Sequence, residues 1–334
     1  MNELNKLLII DGSFLLHRAL HLSDVFELKN SKGFRTGGIF QFLRMLNKEV
    51  REGGQYFPVV VFDMGLADRR TKLDPDYKNA RERAKQDQMV LTPEESDIDY
   101  VKQYRKQRNL LNVILPYFGI PVLKFPGWEG DDLIYILSKV CEECVILTDD
   151  RDMLQLLSEK VTVMRPKAEE YVTLDKFLAE NGYTDIHDFV IYKALLGDNS
   201  DNIPSAAKGV GKATVNDMVK LVKPYLNMRD AYPRDPESLK SICQNNGIKY
   251  RKAFLNWDLE RFDINLQLVD LSLVKVEPRF LDSIKATISN SEQQCSYFKA
   301  IKALADLEIT DFDLDSLVRE VKLRRAYLWK AGDN

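Results

Sequence analysis

Nine acidic residues stand at points where the chain changes character. Asp11 ends the apolar run Leu7-Leu-Ile-Ile10, and Asp63 ends Pro58-Val-Val-Val-Phe62. Glu129, Asp131 and Asp132 sit where Pro126-Gly-Trp128 turns into an amphipathic stretch. Asp150 and Asp152 follow Val145-Ile-Leu-Thr148, and Asp198 and Asp201 lie within Gly197-Asp-Asn-Ser-Asp-Asn202. Carboxylates gathered in one crevice raise one another's pKa, so they stay ionised only if cations neutralise them. Oxygen donors without a histidine or cysteine beside them favour Mg2+ or Mn2+ over zinc. Such an all-acid crevice suits two-metal hydrolysis of a phosphodiester bond. Each acid alone has a plainer use, as a helix cap at Asp11 or a dipole partner at Glu129 to Asp132. Their ordered recurrence at strand ends carries the metal reading.

A second motif, Ala207-Lys-Gly-Val-Gly-Lys-Ala-Thr214, precedes an amphipathic run over 215–222. A Gly-x-Gly turn opening a helix exposes backbone N–H groups to a phosphate, and Lys208 and Lys212 add charge. It lacks the spacing of a Walker loop or a dinucleotide fingerprint. Between Arg69 and Lys85 seven basic residues face three acidic ones, and Lys102-Gln-Tyr-Arg-Lys-Gln-Arg108 follows. That stretch reads as a solvated, partly mobile face, or as a cradle for phosphates with Tyr77 and Tyr104 available for base stacking. The pair Cys141 and Cys144 falls in a predicted helix without partners at metal spacing, and His17, His21 and His187 share no zinc or catalytic spacing. Phe125 and Trp128 are expected to pack beside the acidic cluster.

The elements that must position these groups are read from the periodicity. The runs 7–11, 58–63 and 145–148 are β-branched-rich and continuous, as in strands buried on both faces of a parallel sheet. Helical patterns over 38–50, 104–117 and 131–140 alternate with them, which predicts an α/β fold with a mostly parallel central sheet flanked by helices. In such sheets the crevice at the carboxyl ends of the strands binds ligands. Beyond about residue 185 helical patterns dominate. The 334 residues carry 48 basic and 51 acidic side chains, a net charge of −3, so attraction to nucleic acid must come from local patches. Four cysteines suit a reducing compartment, and the amino-terminal residues show no signal-peptide core, which together predict a cytoplasmic protein.

Taken together, these segments resemble the 5′ nuclease family: flap endonucleases and 5′→3′ exonucleases, including stand-alone phage enzymes and the amino-terminal nuclease domain of bacterial DNA polymerase. The matching segments are Ile10-Asp-Gly-Ser-Phe-Leu-Leu-His-Arg-Ala19, Val61-Phe-Asp63, Tyr77-Lys-Asn-Ala-Arg81, Gly127-Trp-Glu-Gly-Asp-Asp132 and Leu147-Thr-Asp-Asp-Arg-Asp152. Gln155-Leu-Leu157, Gly197-Asp-Asn-Ser-Asp-Asn-Ile-Pro204 and Lys208-Gly-Val-Gly211 complete the set. The resemblance implies a nuclease core over 1–190, with an arch over 64–108, and a helical DNA-binding region over 191–334 with a helix–hairpin–helix-type element at about 196–222. It implies that Asp11, Asp63, Glu129, Asp131, Asp132, Asp150, Asp152, Asp198 and Asp201 hold two Mg2+ ions, with Mn2+ as a substitute, directly or through water. Lys78 and Arg81 would act on the scissile phosphate. Arg18, Arg70, Tyr77, Lys208, Gly209, Gly211, Lys212 and Thr214 would contact DNA, with a K+ at the Gly209-Val210-Gly211 turn as the family often has. The implied substrate is branched, flapped or nicked DNA in replication or repair, acted on by a monomer that can meet replication proteins. The alternatives are an RNase H-like enzyme removing RNA primers and a non-catalytic branched-DNA-binding protein.

The chain departs from the family pattern in several places. Trp128-Glu-Gly-Asp-Asp132 replaces the common Tyr-Glu-Ala-Asp-Asp, and His17 replaces a tyrosine. Asp149 adds an acid that alternation should turn away from Asp150. Residues 83–108 form a longer segment than in short relatives, and Lys212 with Ala213 follows Gly211.

Overall fold

The computed structural model describes residues 3–22, 27–78, 100–226 and 257–329, with side chains from 221 to 226 left aside. The described residues within 1–66, 88–173 and 275–334 form one compact unit, and those within 67–87 and 174–274 form another.

The first unit is built on a six-stranded sheet. Its chain runs through β1 (Leu4–Asp11), α1 (Gly12–Leu20), α2 (Gly37–Glu52) and β2 (Phe57–Val61). It resumes, after a short helix of the second unit (α3, Asp68–Leu73), with α4 (Tyr100–Ile114), β3 (Val122–Leu123), α5 (Gly130–Val140) and β4 (Cys141–Leu147). Strands β5 (Val161–Arg165) and β6 (Glu170–Val172) complete the sheet in the order β3-β2-β1-β4-β5-β6. All neighbours are parallel except β6, which returns antiparallel to β5. The central strand β1 pairs Ile10 with Val60 on one side and with Leu147 on the other, so Asp11, Asp63 and the residues after Leu147 emerge along one edge. Leu7, Ile9 and Ile10 are fully buried, as a strand covered on both faces requires. In α2 the buried Ile39, Phe42, Leu43, Leu46 and Val50 follow the helical repeat and form its inner stripe.

Two expectations change here. Cys141 and Cys144 lie in β4 and not in a helix, because Cys141 pairs with Leu4 and the helix stops at Val140. The expected boundary at 190 also gives way, since 275–329 belongs with the first unit. Leu4 bridges Trp329, the Asn5 N–H donates to the Leu328 carbonyl at 2.9 Å, and Arg325 donates to the Gly119 carbonyl at 3.0 Å. Amphipathic helices show which face is apolar but not what that face covers.

The second unit is helical. It comprises α3 with α6 (Leu174–Asn181), α7 (His187–Leu196), α8 (Lys212–Leu226) and α9 (Leu259–Val269). Its core gathers Val190, Leu195, Ile203, Val215, Met218 and Phe262 among others. Asn265, wholly buried, ties two segments together: its Nδ2 donates to the carbonyls of Ala194 and Pro204, each at 2.8 Å. The first unit continues after residue 274 with α10 (Pro278–Gln294), α11 (Tyr297–Asp306) and α12 (Leu314–Arg325). No helix among the described residues is long and apolar enough to cross a membrane.

Candidate active site

Seven of the nine predicted acids belong to the first unit, and its sheet edge links Asp11, Asp63 and Asp150. Asp11 caps α1, accepting from the Phe14 N–H at 2.9 Å through Oδ1, while its Oδ2 accepts from the Thr148 hydroxyl at 2.9 Å. Thr148 is fully buried, and its oxygen also accepts the Asp150 N–H at 3.0 Å, so one hydroxyl registers two carboxylates. Asp63 is held at both oxygens. Ser13 donates to Oδ2 at 2.6 Å, and the Gly130 N–H at the start of α5 donates to Oδ1 at 2.7 Å. A Cβ at residue 130 would stand 3.0 Å from that oxygen. Glycine at this departure from the family pattern therefore lets Asp63 approach the helix terminus closely.

Burial pushes the Asp11 carboxyl up to about 7, with the negative charges of Asp63 and Asp150 adding to the rise and the Phe14 and Thr148 hydrogen bonds opposing it. Glu129 and Asp132 are almost fully buried, where Asp132 accepts from the Glu129 N–H at 3.4 Å across the helix start. Asp131 is half-buried, Asp150 is exposed and accepts from the Asp152 N–H at 2.9 Å, and Asp152 is half-buried. Asp149 turns away as alternation requires, lying 3.7 Å from Arg165 and accepting the Lys167 N–H at 3.0 Å.

The fit to divalent cations rests on the chemistry of these donors. They are all oxygens, they crowd charge where burial already penalises it, and no histidine or cysteine competes. Among the described residues no three of these acids stand close enough together to surround one ion.

Helix α4 forms the flank of this edge. Tyr100, Tyr104 and Arg108 recur every four residues and so share one stripe. His17 stacks on Tyr104 with ring centroids 4.2 Å apart, its Nδ1 lies 2.6 Å from the Tyr100 hydroxyl, and His21 stacks on Tyr100 at 4.9 Å. Tyr104 is hydrogen-bonded to the Ser13 side chain, one bond away from Asp63. Tyr104 is half-buried, its ring lying between His17 and Arg108. Trp128 stacks on Phe280 at 4.4 Å and Phe125 meets the same ring edge-on, which places the expected packing beside the acids on α10. Arg18 is half-buried in the last turn of α1.

The other predicted residues belong to the second unit. Burial alone would raise Asp198, but the Lys193 ammonium at 2.8 Å and the Ser200 hydroxyl and N–H hold its carboxyl down to about 2. Asp201 lies 3.7 Å from the Lys78 ammonium, and its carbonyl accepts the Lys78 N–H at 2.8 Å. Lys78 adopts φ +54°, a left-handed conformation costly for a side chain with a Cβ. Two DNA-contact expectations are corrected. Tyr77 is a core residue with 4% exposure, and Arg70 is buried with its Nε donating to the Leu268 carbonyl at 3.0 Å. Both serve packing because their aromatic and aliphatic parts close the core around α9. Lys208, Gly209, Gly211 and Lys212 are exposed, and Thr214 is half-buried. Gly209 has φ +74°, which its lack of a Cβ permits. Arg81 lies outside the described residues.

Sequence reasoning missed the two hydroxyls, Ser13 and Thr148, that hold the acids in register. Their signal was present, since each sits within two residues of an acid at a strand end.

Comparison with known proteins follows the same outline. Residues 6–182 match the family model of the 5′-3′ exonuclease N-terminal resolvase-like domain. A 5′-3′ exonuclease of Aquifex aeolicus (strain VF5) is 30% identical over 281 residues, which span 81% of this chain and 90% of that protein. The thermostable DNA polymerase I of Thermus aquaticus is 29% identical over 268 residues, 79% of this chain but only 29% of the polymerase. Among solved structures, the T5 5′-exonuclease with bound zinc shares the fold with a TM-score of 0.60 at 19% identity, covering 97% of this chain and 99% of that one. Flap endonuclease-1 from Methanococcus jannaschii gives 0.53 at 17% identity, with coverage of 97% and 92%.

Proposed function

The chain belongs to the 5′-3′ exonuclease family, and we propose that it is a metal-dependent 5′ nuclease that hydrolyses phosphodiester bonds of DNA near 5′ ends and 5′ flaps with two Mg2+ ions. The observation that carries the mechanism is the joined set Asp11–Thr148–Asp150 and Asp63–Ser13 at the carboxyl edge of three adjacent strands. Asp11, Asp63, Glu129, Asp131, Asp132, Asp150 and Asp152 would hold the ions, directly or through water. When bound, such ions lower the pKa of an attacking water and neutralise charge on the phosphate.

The chain's own contribution is to fix the donors. Ser13 and the Gly130 N–H hold the two oxygens of Asp63, so its rotamer is set before substrate arrives. Thr148 donates to Asp11 and so favours its ionised form, which is the form that can ligate. Lys78 is proposed to neutralise charge growing on the phosphate in the transition state, with Arg81 beside it in sequence. Its left-handed backbone and its contacts with Asp201 fix where its side chain starts. Lys208, Lys212 and the glycine turn are proposed to grip duplex backbone, with a K+ as an additional ligand at Gly209-Val210-Gly211.

The test is cleavage of end-labelled flapped, nicked and single-stranded DNA, and of matched RNA–DNA hybrids, with Mg2+ and with excess chelator. Products released from the 5′ side of flapped or nicked DNA, abolished by chelator and by Asp150→Asn, are expected. Cleavage that persists in chelator would overturn the metal mechanism. Activity confined to the hybrids would assign the enzyme to RNA primers instead.

A further inference from the structure

Among the described residues, two cations flank the acidic edge of the first unit without a salt-bridged acid. Arg108 on α4 donates from Nη1 to the backbone carbonyl of Asp63 at 3.3 Å, and its guanidinium covers the Tyr104 ring at 5.7 Å. Its Nε is buried and bonded to nothing. Its Nη1 reaches the Asp63 backbone carbonyl and not the carboxylate, whose oxygens accept from Ser13 and the Gly130 N–H. Lys124 follows directly on β3. The register Val61 to Leu123, with the Phe62 N–H donating to the Leu123 carbonyl at 3.0 Å, sets Lys124 beside the Phe62–Asp63 step.

Lys124 is exposed, and no described acid neutralises it. Burial of part of its stem lowers the ammonium pKa, and the Arg108 charge lowers it further. Two like charges held together in this way repel one another until an anion comes between them. An arginine fork beside a lysine point charge matches the oxygens of a phosphate. The position matters as much as the charge. The pair stands on the β3 side of Asp63, at the open end of the sheet edge, whereas Asp11 and Asp150 lie toward the centre.

We propose that Arg108 and Lys124 form a phosphate-binding pair that receives one phosphate of the substrate strand beside the acidic crevice. This rests on the nuclease reading above and assigns a positioning subsite to it. The same chemistry serves a terminal 5′ phosphomonoester or an internal phosphodiester, and the two sources separate by experiment.

Binding of flapped DNA ending in 5′ phosphate or 5′ hydroxyl is measured by fluorescence anisotropy in Ca2+, across a series of salt concentrations. Lys124→Ala is the primary variant because Lys124 makes no bond that folding needs, and an unchanged melting temperature verifies this. It should weaken binding about three- to tenfold and reduce the salt slope by about one. Lys124→Glu should lose more. Arg108→Gln should match Lys124→Ala, and Arg108→Lys should restore the slope. A defect confined to 5′-phosphate DNA identifies the terminal monoester, and an equal defect on both ends identifies an internal diester. Affinity and slope within twofold of the parent for both Lys124 variants would overturn the proposal. A parent protein that binds neither DNA would instead overturn the nuclease reading, so the two failures are distinct.

Discussion

Replacing Thr148 with valine isolates the role of one hydroxyl. The methyl group takes the place of the hydroxyl in a fully buried position without opening a cavity, so what changes is the hydrogen bonding. Two bonds disappear, the 2.9 Å donation to Asp11 and the 3.0 Å contact from the Asp150 N–H. A hydrogen bond to a charged group is worth about 1.5–3 kcal/mol, and a pKa unit corresponds to about 1.4 kcal/mol, so Asp11 should rise by about one unit or more. It starts at about 7. At pH 7 the ionised fraction therefore falls from about a half to about a tenth, and the apparent affinity for Mg2+ falls about fivefold with it. By pH 9 Asp11 is largely ionised in both proteins and the gap should close. The assay is the Mg2+ concentration giving half-maximal single-turnover cleavage, measured from pH 6 to 9 in parent and variant. An offset that stays constant with pH, or no offset, would refute the claim that Thr148 acts through the ionisation of Asp11.

Asp11→Asn should abolish cleavage yet raise stability in chelator. Because burial and Asp63 raise its pKa to about 7, wild-type Asp11 is neutral at pH 5 and charged at pH 8. Its stabilising share is complete below about pH 4 and is lost progressively as pH rises to 7, so thermal melts should show the variant's advantage vanish near pH 4 or below and be larger at pH 8 than at pH 5. Gly130→Ala adds a Cβ 3.0 Å from Asp63 Oδ1. Metal titration should show a shift of Asp63 as weaker ion binding, and unaltered affinity would mean the carboxylate yields freely. Asn265→Ala leaves the carbonyls of Ala194 and Pro204 without their donor, at about 1–3 kcal/mol each. Urea unfolding should move to lower midpoint, and a shift under 0.5 M would count against the anchor. Lys212→Ala should lower duplex affinity and the salt slope by about one contact while leaving the single-turnover rate at saturation intact.

The sheet and its acidic edge were legible because a doubly buried strand must be apolar throughout, and the first charged residue after it marks where it leaves the core. Asp11 and Asp63 were placed by that rule alone, whereas after Thr148 the first charge is Asp149 and alternation was needed to set Asp150 apart from it. What each acid does beyond its position was not legible, since it depends on partners far away in sequence. Glu129 and Asp132 are buried across a helix start, and Asp198 and Asp201 carry Lys193 and Lys78 as neighbours. Tyr77 and Tyr104 were read as stacking platforms because both lie among basic residues. Whether an aromatic ring faces solvent or core is decided by the elements packed against it: Tyr77 lies in the core, while Tyr104 is half-buried against His17. The same limit hid Lys124, a single lysine whose meaning comes only from the β2–β3 register.

The bridge between Leu4 and Trp329 bears on how the chain is made. Strand β1 lies at the centre of the sheet and leaves the ribosome long before Trp329, the residue that pairs its amino-terminal end. In between, the whole of 174–274 must emerge, and it can condense around its own core while the first unit still waits. High separation between contacting residues slows folding and prolongs exposure of unpaired edges. A nascent chain stopped at residue 274 should accordingly leave the sheet open to proteases near Leu4, and extension past Trp329 should close it.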